Sequence, residues 1–81
     1  MAETAYLMKN LNIEEKTRFV NAIENFDTEF DLIGKNKKVM IDAKSILGVL
    51  GMDLSDGAKL LIHNPSKEIE ESIKDFILER A

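Results

Sequence analysis

The stretch KSILGVLGMDLSDGAKLLI, residues 44–62, decides how the chain is read. Ser45 stands directly before a short apolar run that Gly48 and Gly51 interrupt. A serine in that place is a natural helix N-cap, because its hydroxyl accepts a backbone N–H of the first turn. Gly51, or the residues just after it, can end the helix. The segment MDLSDGAK (52–59) then reads as a loop, with Asp56–Gly57 as a turn signal. KLLIH (59–63) reads as a strand, apolar through Leu60, Leu61 and Ile62. The helix has more apolar residues than one face holds. Ile46, Val49 and Leu50 share a side, Leu47 points elsewhere, and Met52 and Leu54 add to the surplus. An exposed remainder implies a surface for a protein partner. Ser45 lies at its edge, where phosphorylation would place about two negative charges at the helix start.

Working upstream, TAYLMK (4–9) is read as a strand. Residues 12–26 change to helical spacing: Phe19, Ala22, Ile23 and Phe26 recur on one face, with Val20 beside them. Asn12 and Glu15 have the spacing of a capping box, and Glu14 adds negative charge where the helix dipole favours it. TEFDLI (28–33) alternates, and so does VMID (39–42), with Val39 and Ile41 expected on one side. The polar turn GKNKK joins these two strands as a hairpin. Downstream, Asn64, Pro65 and Ser66 open a last helix over 66–80, either Asn64 or Ser66 serving as its cap. Its stripe is Ile69, Ile73, Phe76 and Ile77, and Glu70 with Lys74 forms an i, i+4 pair. The order is β-α-β-β-α-β-α, an α+β chain whose economical packing is a four-stranded antiparallel sheet with helices on one face.

Composition narrows the function. The 81 residues are expected to form one domain, spanning 1–81. With 44% hydrophobic and 32% charged residues the chain has the balance of a globular domain. A net charge of −4 disfavours direct nucleic-acid binding, and the one basic cluster, Lys35, Lys37 and Lys38, reads as a solvated turn. The absence of cysteine favours a cytoplasmic location. The opening residues MAETAYLMKN have no basic segment followed by a long apolar run, so no signal peptide is expected. No stretch of about 20 apolar residues suggests a membrane span.

The inventory for catalysis is thin, and no enzyme activity or cofactor is expected. One histidine, His63, and no cysteine supply too few nitrogen and sulfur ligands for a usual zinc centre, so no metal site is expected. His63 reads as a strand-end histidine rather than a base or phosphoacceptor. Ser45, Ser55, Ser66 and Ser72 spell no triad with it, since triads are defined by geometry and not by inventory. The glycines at 34, 48, 51 and 57 are scattered and form no phosphate loop.

The element order, together with KSILGVLGMDLSDGAKLLI (44–62) and RFVNAIENFDTEFDLI (18–33), resembles HPr, the histidine-containing phosphocarrier family of the bacterial phosphoenolpyruvate-dependent sugar phosphotransferase system. The resemblance covers nearly the whole chain. It implies an open-faced β-sandwich with sheet order 1-4-2-3 and three helices on one face. It also implies two phosphorylation sites. The family's His-x-Arg-Pro motif falls on Asn12–Ile13–Glu14–Glu15, so Asn12 replaces the histidine, Glu14 the arginine and Glu15 the proline. An amide does not carry a phosphoryl group as imidazole does, and a carboxylate at 14 repels a dianion. The chain is therefore not expected to be a histidine phosphocarrier. The family's regulatory serine falls on Ser45, and its partner-binding patch on Ile46, Leu47, Leu50 and Leu54. Loss of the histidine with retention of the serine is similar to the Crh-type, catabolite-repression branch. That likeness implies an HPr serine kinase/phosphorylase and a transcriptional regulator or other protein as partners. A monomer is the favoured state, with dimerisation through an exposed strand edge left open. The alternative is an interaction module on the same fold that works without phosphorylation.

Overall fold

The computed structural model describes residues 3–34, 39–55 and 57–81. Along the chain run β1 (Glu3–Met8), α1 (Ile13–Ile23), β2 (Phe30–Ile33), β3 (Met40–Asp42), α2 (Ile46–Gly51), β4 (Lys59–His63), α3 (Lys67–Ile73), a single 3-10 turn (Lys74–Phe76) and β5 (Ile77–Arg80). Among the described residues the protein is α+β, with five antiparallel strands in the order β3-β2-β4-β1-β5 and three helices. The expected order 1-4-2-3 lies within this sheet, and β5 is added at the outer edge of β1. The basic turn at Lys35, Lys37 and Lys38 lies outside the described residues, as does Asp56 of the expected Asp56–Gly57 turn. Gly57 has φ +82°, a left-handed conformation that glycine adopts without the cost a Cβ imposes.

Alternation along the strands sends Tyr6, Met8, Phe30, Leu32, Leu60 and Ile62 to one face, where all are buried. The helices contribute Phe19, Val20 and Ile23 from α1, Val49 from α2, and Ile69 and Ile73 from α3 to the same core. All three helices of the described residues join that core, and on the opposite sheet face Ala5, Ile33 and Leu61 are half-buried. Each helix starts on a polar cap. Asn12 and Glu15 form a reciprocal capping box, Ser45 caps α2, and Ser66 rather than Asn64 caps α3. No helix among the described residues is long and apolar enough to cross a membrane.

The third helix differs most from the sequence reading. It was expected over 66–80, but it ends at Ile73, and Ile77–Arg80 forms a fifth strand beside β1. The reason is the unfilled edge of β1. Its outer side takes the pairs Met8↔Ile77, Leu7↔Glu79 and Tyr6↔Arg80, which satisfies backbone groups otherwise left to water. Only Phe76 and Ile77 of the expected far stripe pack on the core, Phe76 meeting Phe19 edge-on at 5.5 Å. The sheet accordingly has five strands instead of four. The first helix is also shorter than 12–26, ending at Ile23 with Glu24 as its C-cap. Val39 does not join Ile41 on the core side; it is exposed, and its carbonyl accepts Gly34 N–H at 3.0 Å to close the hairpin.

The return of the chain as β5 also rewrites the expected Glu70–Lys74 pair. Arg80 reaches Glu70 instead, Lys74 pairs with Glu71 at 3.1 Å, and the buried Tyr6 hydroxyl donates to Glu70 at 2.8 Å. Hydrogen bonds from Tyr6 and Arg80 hold the Glu70 carboxyl below its ordinary value of 4.5. Burial and then Glu70 hold the Tyr6 phenol above its ordinary 10.0.

Two outcomes follow from this arrangement. In urea denaturation Ile73→Ala costs about 2–5 kcal/mol by opening the core. Leu78→Ala, at a side chain 62% exposed on β5, changes stability by less than about 0.5 kcal/mol. Stability also depends on pH through Tyr6 and Glu70. The depressed Glu70 contributes stability above pH 4.5 that is lost as pH falls from there through its folded value. The raised Tyr6 contributes stability below pH 10.0 that is lost as pH rises through its folded value. Tyr6→Phe is less stable at neutral pH, and its curve is flatter on both limbs when unfolding is followed by circular dichroism.

Candidate functional site

The surface that the sequence singles out is built on α2, six residues long. Ser45 precedes it in extended conformation, and its Oγ accepts Gly48 N–H at 3.4 Å, a long contact and a weak cap. The Ser45 residue is exposed. Helical geometry then distributes the apolar residues. Val49 is fully buried and Leu50 half-buried, while Ile46 is 36% and Leu47 82% exposed. Gly48 lies against β3. A Cβ added there would meet Ile41 Cδ1 at 3.1 Å, so the missing side chain lets helix and strand approach closely.

Leu54 does not belong to this surface. It is 2% exposed, because the loop after α2 turns inward and seats Met52 and Leu54 together in the core. The surface set expected from the sequence therefore reduces to Ile46, Leu47 and part of Leu50. A further exposed apolar side chain, Ile13, 70% exposed, opens α1.

The residue that sets the position of α2 is Lys16, which the sequence reading passed over. It is buried on α1, and its Nζ donates to the carbonyls of Met52 at 2.7 Å and Leu50 at 3.4 Å. These carbonyls end α2, where helical bonding leaves acceptors unmet and the dipole favours a cation. The signal was present in the spacing: Lys16, Phe19, Val20 and Ile23 occupy i, i+3, i+4 and i+7, so Lys16 sits on the buried stripe. Ile13 is one turn earlier on the same helix.

At the start of α1, Asn12 and Glu15 are committed to each other. Asn12 Oδ1 accepts Glu15 N–H at 2.8 Å, and Glu15 Oε1 accepts Asn12 N–H at 2.9 Å. Glu14 is exposed beside them. The group that these residues present to solvent is acidic and lacks an imidazole. His63 lies elsewhere, at the end of β4. Its neighbours are carboxylates: Glu3 at 3.2 Å, Asp31 at 3.8 Å and Glu29 at 4.0 Å from Nε2. Among the described residues the contacts of His63 include no serine hydroxyl. Ser45 and Ser66 act as helix caps, and Ser72 Oγ donates to Glu68 O.

Chemically, this arrangement offers an exposed serine hydroxyl beside a small apolar surface, held in place from beneath by a lysine. No family model matches the chain, and no curated protein matches it at a significant level.

Lys16→Met keeps the stem packing and removes the charged donor. It costs about 1.5–3 kcal/mol in urea denaturation, the range for a lost hydrogen bond to a charged group. Hydrogen exchange of the Val49 and Met52 amides rises more than that of β4 amides.

Proposed function

We propose that this chain is a non-catalytic regulatory protein of HPr type, acting through Ser45 and the adjoining apolar surface rather than as a histidine phosphocarrier. The observation that carries this reading is the juxtaposition of the exposed Ser45 with exposed Ile46 and Leu47. A leucine 82% exposed on a short helix adds nothing to the core and gives a partner protein apolar area to bury. The sheet order around β4 and the serine-capped α2 are features that the HPr resemblance leads one to expect, and they support the reading. The acidic, imidazole-free start of α1 supports the absence of phosphocarrier activity. A partner would be a protein, with a serine kinase of the phosphotransferase system and a transcriptional regulator as the partners that the resemblance implies.

In the modification step the Ser45 Oγ attacks the γ-phosphorus of ATP. The new bond is O–P, the bond to the bridging oxygen of ADP breaks, and the hydroxyl proton is released. The product carries about two negative charges beside Leu47, so one surface presents two chemistries and selects two sets of partners. A second reading, a docking module that needs no phosphate, rests on the exposure of Leu47, an apolar contact area that involves no charge.

Mass spectrometry after treatment with an HPr serine kinase and ATP separates the two. The regulatory reading expects one added phosphate on the wild type and none on Ser45→Ala. No phosphate, with the kinase shown active on ordinary HPr, overturns it in favour of the phosphate-independent surface. Ser45→Ala itself lowers stability by only about 0.5 kcal/mol, the low end for a lost cap, so the variant is folded for this comparison.

A further inference from the structure

We propose that His63, Glu29 and Asp31 form a binding site for a divalent transition-metal ion of the zinc class, on the sheet face opposite the core. This site is separate from the Ser45 surface and does not rest on the regulatory reading.

Strand pairing brings the residues together. β4 lies between β1 and β2, with Glu3 opposite His63 on one side. On the other side His63 N–H donates to the Glu29 carbonyl at 3.3 Å. Asp31, two residues beyond Glu29, returns to the same sheet face. One ligand atom from each of Glu29, Asp31 and His63 lies within 4.8 Å of the others. His63 Nε2 is 3.8 Å from Asp31 Oδ2 and 4.0 Å from Glu29 Oε2. In a tetrahedral site with ligand bonds of about 2.0–2.2 Å, neighbouring ligand atoms are about 3.3–3.6 Å apart. A contraction of a few tenths of an ångström brings both His63 distances into that range. The carboxylates, no more than 4.8 Å apart, need at most about an ångström, a movement open to Glu29, whose side chain is 83% exposed.

The charge balance points the same way. The carboxylates of Glu3, Glu29 and Asp31 all lie within 4.0 Å of one nitrogen, His63 Nε2, and these are the contacts within that distance to a basic side chain that the three make among the described residues. Asp31 also stands directly across from Asp42 in the β2–β3 pairing, an unfavourable placement of like charges. A cleft of about 290 Å³ lined by Glu29, Asp31, Asp42 and Lys44 opens beside them. Its lysine is engaged elsewhere: Lys44 Nζ donates to the Phe26 carbonyl and lies 5.6 Å from the Phe30 ring centre. A bound dication neutralises the surplus, and the cleft gives it a path from solvent. One imidazole nitrogen with carboxylate oxygens suits zinc and its first-row neighbours; calcium and magnesium prefer oxygen ligands alone. Glu3, 3.2 Å from Nε2, adds negative charge next to the ion.

Zinc chloride titrated into the full chain, followed by calorimetry and by the His63 imidazole signals in NMR spectra, tests the site. The expected result is saturable binding of one zinc ion per chain, with the His63 signals shifting at the same stoichiometry. His63→Gln and Glu29→Gln each weaken binding at least about tenfold, while Glu68→Gln on α3 leaves it unchanged. Excess magnesium does not compete. The proposal is overturned by no saturable binding at about millimolar zinc, or by zinc binding that leaves the His63 signals unmoved. Equal affinity in wild type and His63→Gln overturns it too. The NMR readout uses the wild-type chain, so a folding defect in a variant leaves it decisive.

Discussion

The fold turns on the placement of β4 between β1 and β2. Both of its edges are hydrogen-bonded, so five residues at 59–63 pair with residues 3–7 and with a segment just beyond α1. This pairing commits Leu60 and Ile62 to the core and Leu61 and His63 to the other face, because a strand has only two sides. It also leaves the free edges to β3 and β5, of three and four residues. Short edges are weak templates for pairing with another chain. β5 ends in Glu79 and Arg80, whose charges blunt its edge further.

α2 depends on contacts outside itself. Six residues are too few to form a stable helix in water on propensity alone. Val49 anchors one side in the core, Gly48 permits the approach to Ile41, and Lys16 fastens the far end by its carbonyls. The exposed Leu47 is thus presented on a helix fixed at its base. A docking surface on such a helix loses less conformational entropy on binding than one on a loop. The cost is a buried lysine, which is tolerable because its charge meets two carbonyl oxygens.

Local signals in the sequence were reliable where the physics is local. Asn12 with Glu15, and Ser45, act within three residues, and the structure has those caps. The signals failed where two outcomes share one pattern. Ile73, Phe76 and Ile77 fit a helical stripe, yet Ile77 and Leu78 are equally good strand residues, and the open edge of β1 decided between them. Leu54 was read as part of an exposed patch because hydrophobicity alone does not say which way a loop turns. Lys16 was legible in the periodicity but hidden by its charge, since a lysine on an apolar stripe reads as an interruption until its acceptors are known.

The sequence by itself determined the α+β class, the caps of α1 and α2, the central strands with their buried sides, and the apolar surplus around Ser45. These depend on periodicity and on bonds spanning a few residues. Tertiary structure decided the fifth strand, the burial of Leu54, the partners of Glu70 and the gathering of Glu3, Glu29, Asp31 and His63. Glu3 opens the first strand and His63 closes the fourth, so no local rule relates them. Only antiparallel register across three strands brings their side chains to one place.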